Sequence, residues 1–187
     1  MRSTKLGRPK IIQNPRKTVR SLEIPVIGEQ VPNQISKSAK IAPGVKIWNF
    51  AYVGPNAQIG SGTKIGSLAH IDYNVKVGEN CKIEGLAYLA PLSSIGNNVF
   101  IGPGAVLTND PYPPSQRMVG VVVEDGAIIC AGAVIKAGVR IGSKSVVGMG
   151  SVVTKDVPPN MVVVGNPAKP VYTREEYERK KKSWDST

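Results

Sequence analysis

The fold is decided by the repeat in residues 63–83, TKIGSLAHIDYNVKVGENCKI, where an aliphatic side chain returns at every sixth position from Ile65. The same column runs without a miss from Ile35 to Leu107, and it resumes from Val123 to Val153. A period of six matches neither an amphipathic helix nor a free alternating strand. It predicts a solenoid in which each hexapeptide forms one short strand and one turn.

Three such hexapeptides would make one triangular coil, and successive coils would stack by parallel strand pairing about 4.8 Å apart. The aliphatic residue points inward, and the fifth residue of each hexapeptide, which is small or modest in size, also faces the interior near a corner. Gly, Asn and Asp occupy many turn positions, where we expect them to supply positive φ angles. These turn residues are Gly54, Asn56, Gly60, Gly62, Asp72, Asn74, Gly78, Asn80, Gly96, Asn97, Gly102 and Gly104.

The pattern over residues 35–172 resembles the hexapeptide-repeat acyltransferases, and the resemblance implies an all-β, left-handed parallel β-helix. Residues 108–122 break the rhythm with three prolines in four positions, which predicts an ejected loop. The predicted organisation is a basic flexible tail (1–20), a β-helix acyltransferase domain (21–172) that contains this loop, and a C-terminal helix (173–187).

Both ends of that domain carry further expectations. Residues 21–34 should lead into the first coil and help to cover its open end. Residues 158–172, with four prolines, should leave the stack as an irregular cap. Thr173 and Glu176 should form a capping box at the start of the helix.

Composition excludes several classes of protein. The net charge is +11, but residues 1–22 contain seven basic and no acidic side chains, so much of the excess lies in the tail. Gly7-Arg8-Pro9-Lys10 looks like the core of a minor-groove hook, but a flexible or subunit-contacting extension is the favoured interpretation, and nucleic acid is not the expected partner. No segment reads as a signal peptide or a membrane span, and Cys81 and Cys130 form no CxxC motif. We therefore expect a cytoplasmic protein with no membrane partner.

The segment from Val147 to Lys169 resembles the coenzyme A end of hexapeptide acetyltransferases. The resemblance implies acetyl-CoA as cosubstrate, with no metal required. It implies backbone contacts to the pantetheine arm from Ala131 and Met149, which lie one coil apart. It assigns the adenine end to Thr154 and Lys155, and it assigns the basic position near the phosphates to Lys169.

Two features concern the acceptor side: the loop lacks a histidine, and a column of aromatic side chains, here called the ladder, faces outward. Many family members that acetylate hydroxyl groups carry a His in the loop, whereas this loop has none and the chain's sole histidine is His70. His70 stacks at eighteen-residue spacing with Tyr52 and Tyr88, all three at outward positions. This ladder could line an acceptor pocket or could be an ordinary surface ladder between coils. His70 could act as a base or only position the acceptor.

The loop start, Leu107-Thr-Asn-Asp-Pro-Tyr-Pro, resembles the Thr-Asn-Asp-x-x-Pro segment of nucleotide-linked amino-sugar N-acetyltransferases. Residues 66–109 are similar to enzymes that acetylate UDP-linked 3-amino-glucuronates, which carry Asn at the position of Gly85. The resemblance implies a homotrimer that acetylates an amine of a nucleotide-linked sugar. With the ladder, this segment gives the expected site: His70, Asn109 and Asp110 as candidate catalytic residues, and Glu84, Tyr88 and Tyr112 as candidate substrate-binding residues.

Three alternatives have distinct requirements. An O-acetyltransferase acting on a sugar or serine hydroxyl would be expected to show the loop histidine. A non-catalytic structural β-helix would not need the coenzyme A-like segment. A γ-class carbonic anhydrase holds zinc with three histidines, which a chain with one His cannot supply unless that residue lies on a symmetry axis.

Overall fold

The computed structural model of the protein describes residues 33–186, and its first nineteen strands are two residues long. They are β1 Gln34–Ile35, β2 Lys40–Ile41, β3 Lys46–Ile47, β4 Tyr52–Val53, β5 Gln58–Ile59, β6 Lys64–Ile65, β7 His70–Ile71, β8 Lys76–Val77, β9 Lys82–Ile83, β10 Tyr88–Leu89, β11 Ser94–Ile95, β12 Phe100–Ile101, β13 Val106–Leu107, β14 Val122–Val123, β15 Ile128–Ile129, β16 Val134–Ile135, β17 Arg140–Ile141, β18 Val146–Val147 and β19 Val152–Val153. Two longer strands and a helix follow: β20 Met161–Gly165, β21 Ala168–Thr173 and α1 Arg174–Asp185.

Every third strand belongs to the same sheet, so the chain winds around three parallel sheets. Sheet A contains β1, β4, β7, β10, β13, β16 and β19; sheet B contains β2, β5, β8, β11, β14 and β17; sheet C contains β3, β6, β9, β12, β15, β18, β20 and β21. Within β1–β19, neighbours pair at eighteen-residue spacing, as His70 does with Tyr52 and Tyr88, except where the loop is inserted. The predicted parallel β-helix is confirmed.

The core is the stack of inward-facing columns. The aliphatic side chains of Ile65, Ile71 and Leu89 are fully buried, and the small fifth-place residues such as Ala87 are buried beside them. Thr63 is a buried polar member of this column, and its hydroxyl donates to the carbonyl of Gly78 at 2.9 Å and accepts from the amide of Cys81 at 3.0 Å. The core therefore accommodates this hydroxyl because its hydrogen bonds are made.

The three corners differ in the residues they place at positive φ. At the corner from sheet A to sheet B, Asn56 and Asn74 adopt this conformation, as predicted. At the corner from sheet C to sheet A, here called the A–C corner, the first three are Phe50 (φ 63°), Leu68 (62°) and Leu86 (62°), and the next three are glycines, including the predicted Gly104 (φ 64°). Positive φ was not predicted at Phe50, Leu68 and Leu86, whose side chains are all exposed.

Several glycines predicted to supply positive φ have another role. A Cβ on Gly102 would lie 2.6 Å from the amide nitrogen of Ala131 in the next coil, and one on Gly54 would lie 2.7 Å from that of Tyr73. Neither glycine has a positive φ. They are small because the backbones of adjacent coils approach closely there.

The loop and the cap depart from the predicted boundaries. Val122 belongs to β14, so the loop occupies residues 108–121 and ends one residue earlier than predicted. Residues 158–172 are not an irregular cap, because β20 pairs in parallel with β18 and in antiparallel with β21. Pro170 lies in β21, the outer strand of sheet C, where a missing backbone N–H breaks no ladder bond on the open side.

The helix α1 begins after Thr173, whose hydroxyl accepts a hydrogen bond from the amide of Glu176 at 3.3 Å. Only this half of the predicted capping box forms, because the Glu176 carboxylate pairs with Lys180 at 3.1 Å. The Arg174 guanidinium donates to the carbonyl oxygens of Gly126 and Lys144 and so ties the helix to the coils. No helix within residues 33–186 is long and apolar enough to cross a membrane. The predicted tail (1–20) and most of the predicted lead-in (21–34) lie outside the described residues.

Candidate active site

The predicted pantetheine contacts, Ala131 and Met149, lie at the A–C corner in successive coils. The amide of Gly150 donates to the carbonyl of Ala131 at 2.9 Å, which links the two turns. Within residues 33–186 the backbone N–H groups of Ala131 and Met149 have no hydrogen-bond partner. Both residues are exposed, so each offers an amide donor to a ligand lying along this corner.

Space beside these donors is open. A Cβ built on Gly104, Gly132 or Gly150, the positive-φ residues of the last three turns at this corner, would have no atom within 4 Å among those described. Met149 itself is 78% exposed. The corner therefore faces open space, with amide donors spaced one coil apart.

The other predicted cofactor residues line a single cavity. Thr154 and Lys155 follow β19, Lys169 lies in β21, and together with Val153 and Pro167 they surround a volume of about 280 Å³. Thr154 lies five positions after Met149, a distance of at most about 18 Å in extended chain. An elongated ligand with amides at one end and phosphates at the other matches this arrangement of amide donors followed by two lysines.

The side chains of the predicted ladder on sheet A contact one another. The rings of Tyr52 and His70 stack with centroids 4.4 Å apart, and those of His70 and Tyr88 are tilted with centroids 5.3 Å apart. The His70 side chain is 45% exposed. A partly exposed imidazole held between two rings keeps one orientation while its edge remains available to a ligand.

Asp72 joins this ladder, and the sequence-based selection of site residues missed it. Its Oδ2 lies 3.7 Å from His70 Nε2 and accepts a hydrogen bond from the Tyr88 hydroxyl at 3.2 Å. Burial, the negative charge of Asp72 and this hydrogen bond together raise the pKa of Tyr88. The available signal was the spacing, because His70 and Asp72 flank the inward-facing Ile71 and therefore both point outward.

The loop residues Asn109 and Asp110 bind the loop to itself. The Asp110 carboxylate accepts from the Ser115 hydroxyl at 2.6 Å and from the amides of Ser115 and Tyr112 at 2.8 and 3.0 Å, which lowers the pKa of Asp110. The Asn109 side-chain amide contacts the Met118 sulfur at 3.2 Å. Within the described chain no hydrogen bond or ring contact joins these two residues to His70.

The predicted substrate-binding residues are spread over three places. Tyr112 lies in the loop, 77% exposed, with the Lys136 ammonium 5.7 Å from its ring centre. Tyr88 lies on sheet A, whereas Glu84 lies at the end of a sheet C strand and pairs with Lys82 at 2.7 Å. One chain therefore presents these groups on two sides of the A–C corner. No cluster of three His, Cys, Asp or Glu side chains that could hold a metal occurs within residues 33–186.

Two protein-family sequence models match parts of this chain. The model "Bacterial transferase hexapeptide (six repeats)" matches residues 38–73 and 74–109. The model "Hexapeptide repeat of succinyl-transferase" matches residues 93–137 and 133–155. Together the matches run from residue 38 to residue 155, which is most of the coil stack.

Individual relatives match parts of the chain. A 2,3,4,5-tetrahydropyridine-2,6-dicarboxylate N-acetyltransferase of Staphylococcus aureus is 39% identical over 87 residues, 46% of this chain and 36% of the relative. The solved structure of WeeI from Acinetobacter baumannii AYE is 31% identical with a TM-score of 0.53, covering 74% of this chain and 57% of that one. The chain thus spans about a third of the curated relative's length.

Proposed function

Because the chain belongs to the bacterial hexapeptide-repeat transferases, we propose that it is an acetyl-CoA-dependent N-acetyltransferase whose acceptor is the amine of a nucleotide-linked amino-sugar. We further propose that the active form is a homotrimer. The similar S. aureus protein is named an N-acetyltransferase, which agrees with the reaction type and leaves the acceptor as part of the proposal.

The observation that carries the proposal is the short path, at most about 18 Å of extended chain, between the unpaired amides of the A–C corner and the lysine-lined cavity. The unpaired amides of Ala131 and Met149 suit the amides of a pantetheine arm. Lys155 and Lys169 at the end of this path supply the positive charge that phosphates require. A structural β-helix has no need to leave both features open at the same end of the stack.

The proposed chemistry needs little from the acceptor side beyond alignment. The amine lone pair attacks the thioester carbonyl carbon, a C–N bond forms, the C–S bond breaks, and the amine proton passes to the departing thiolate. Holding the amine and the thioester in contact contributes most of the rate when the nucleophile is already reactive. His70, oriented by the rings of Tyr52 and Tyr88 and by Asp72, would donate or accept one hydrogen bond to the sugar.

The proposed trimer rests on an exposed apolar ridge. Phe50, Leu68 and Leu86 at the A–C corner are 54, 53 and 63% exposed, although they sit in the backbone conformation least favourable to such side chains. Contact with a second copy would bury this surface, and cyclic symmetry would then form three equivalent clefts.

The proposal is tested by acetyl transfer with free thiol as the readout. Nucleotide-linked amino-sugars are assayed with acetyl-CoA beside two rivals: a hydroxyl-bearing sugar series and 2,3,4,5-tetrahydropyridine-2,6-dicarboxylate, the acceptor in the relative's name. We expect turnover with an amino-sugar nucleotide. Turnover confined to either rival would refute the proposed acceptor.

The role of His70 is separated in the same assay. If His70 positions the sugar, His70→Ala should raise KM with a modest loss of kcat. If it is the base, kcat should fall by about two orders of magnitude or more. We expect the first result, because an amine needs no loop histidine to become a nucleophile once it is neutral.

A further inference from the structure

A second cavity, of about 250 Å³, opens on sheet C in the first three coils. Trp48, Gly66 and Glu84 follow the paired residues Ile47, Ile65 and Ile83 and therefore form one outward column. Gly66 leaves a gap between the indole of Trp48 and the carboxylate of Glu84. A Cβ on Gly66 would lie 2.5 Å from the Gly85 amide nitrogen, so the close packing of the coils requires a glycine at this position. The gap follows from the missing side chain.

Two lysines, Lys64 and Lys82, line this cavity. They are direct partners in adjacent parallel strands, with Lys46 next in the same column outside the cavity lining, and like charges in such positions destabilise a sheet. Lys82 pairs with Glu84 at 2.7 Å. Among residues 33–186, Lys64 has no acidic partner, so an anion in the cavity would relieve the repulsion between the two ammonium groups.

An aromatic surface borders the same cavity. The Trp48 side chain is 48% exposed although it belongs to the ordered coil stack. An exposed indole beside lysines is a combination that proteins use for nucleotides, since a base stacks on the ring and the phosphates pair with the cations. Glu84 adds an acceptor for the N–H groups on the edge of a base.

We propose that this cavity binds the nucleoside diphosphate part of the substrate. The base stacks on Trp48 in the gap above Gly66, Glu84 accepts a hydrogen bond from its edge, and Lys64 and Lys82 contact the diphosphate. The identity of this ligand as the substrate's nucleotide rests on the proposed function. The cavity lies in the first three coils, whereas Lys155 and Lys169 lie at the last, so it is separate from the proposed coenzyme A site.

The location also has a consequence for the assembly. The cavity is on sheet C and His70 is on sheet A, with the exposed Leu68 at the corner between them. A sugar nucleotide bound here would lie across this corner from the His70 of its own chain. In the proposed trimer we therefore expect its amine to meet sheet A of the adjoining protomer.

Trp48 provides its own probe, because Trp184 is the only other tryptophan. Trp184→Phe removes the second signal at a side chain that is 79% exposed in the C-terminal helix. In this background UDP, dTDP, GDP and ADP are titrated, each at concentrations up to about 1 mM. We expect saturable quenching of Trp48 fluorescence by at least one nucleoside diphosphate. Lys64→Met or Lys82→Met should weaken binding about tenfold, while Lys76→Met, on sheet B, should not change it.

Two results would overturn the inference. One is the absence of quenching by every nucleoside diphosphate. The other is quenching that Lys64→Met and Lys82→Met leave unchanged. Coenzyme A also contains a nucleotide diphosphate, so it is titrated in parallel, and tighter quenching by coenzyme A than by any nucleoside diphosphate would assign the cavity to the cofactor and refute the proposal.

Failure of this inference is distinguishable from failure of the proposed function. If the enzyme acetylates an amino-sugar nucleotide and Trp48→Ala leaves its KM unchanged, the cavity is not the nucleotide site and the proposed function stands. If nucleoside diphosphates quench Trp48 in a lysine-dependent way but no amino-sugar is acetylated, the nucleotide site stands and the proposed acceptor is wrong.

Discussion

The two halves of the A–C corner share one backbone conformation and differ in the side chain at the positive-φ position. In the first three turns the positive-φ residues are Phe50, Leu68 and Leu86, and in the next three they are Gly104, Gly132 and Gly150, all with φ between 62° and 65°. Glycine adopts this conformation freely, whereas a bulky residue in it is disfavoured by about 1–2 kcal/mol. The apolar half therefore carries a cost that the fold does not require.

The difference assigns different tasks to the two halves. Exposed apolar side chains in the first half have a use if another copy of the chain covers them. Glycines in the second half leave the unpaired amides of Ala131 and Met149 accessible to a ligand. We therefore treat the first half as a protein-contact surface and the second half as a cofactor surface, and each part of this interpretation can be tested.

The largest expected effect comes from blocking the second half. Ala131→Trp should place an indole in the open space beside the corner and weaken coenzyme A binding by about a hundredfold or more, because the pantetheine arm loses its path along the corner. Calorimetric titration with coenzyme A measures this. Lys37→Trp, at an exposed turn of the first coil on the corner from sheet A to sheet B, is the control and should bind like the wild type. Equal affinity in both variants would show that the corner is not the cofactor surface.

The next effect comes from the first half. Replacing Phe50, Leu68 and Leu86 together by Asn, which tolerates positive φ, removes apolar surface while relieving backbone strain. We expect light scattering to show a trimer for the wild type and a monomer for this variant. Leu92→Asn changes a leucine with φ 69° at another corner and should leave the trimer intact. A variant that stays trimeric, or a wild type that is monomeric, would contradict the contact-surface interpretation.

A smaller effect concerns the loop that leaves sheet A beside the second half. If Asp110 acts by holding the loop, Asp110→Asn and Ser115→Ala should each raise the acceptor KM by about fivefold. Asp110→Asn replaces one carboxylate oxygen by an NH2 group and so removes one acceptor, such as the one for the Ser115 amide at 2.8 Å, and Ser115→Ala removes the 2.6 Å hydrogen bond from the hydroxyl. Because the pKa of Asp110 is lowered, this loop order is present above the carboxyl's ordinary pKa and is lost as the pH falls through the folded value. A large loss of kcat in Asp110→Asn alone would instead make Asp110 catalytic.

The sequence predicts the coil stack because the period of six records long-range packing that no local preference can mimic. The sequence does not predict the positive φ angles of Leu68 and Leu86 at the A–C corner. Leucine is not a usual turn residue, and the exposed side chains are explained only by a contact outside the chain. The sequence pattern also fails at β20 and β21, where prolines read as breakers but occupy a turn and an outer strand. Thr154, Lys155 and Lys169 share a cavity as the resemblance implied, whereas the Trp48 cavity depends on the absent side chain of Gly66, which spacing alone does not mark as a gap.

The smallest expected effect is a change in the pKa of Tyr88, which lies on sheet A and follows the apolar half of the A–C corner in the chain. The pKa of Tyr88 is raised first by burial and then by the charge and hydrogen bond of Asp72. Asp72→Asn should therefore lower this pKa while burial keeps it above the ordinary value. Tyrosinate absorbance, with Tyr88→Phe to identify the late-titrating group, measures the shift.

The titration of Tyr88 also determines how the stability of the fold changes at alkaline pH. Since the folded pKa of Tyr88 exceeds the unfolded one, its contribution is fully present below the unfolded value near pH 10 and is lost as the pH rises through the folded value. Asp72→Asn should narrow the pH range over which this contribution is lost. Asp185→Asn, at the distant end of α1, should leave that range unchanged. If the titration of Tyr88 is unchanged in Asp72→Asn, Asp72 does not hold the ladder, and His70 is oriented by the stacking of Tyr52 and Tyr88 alone.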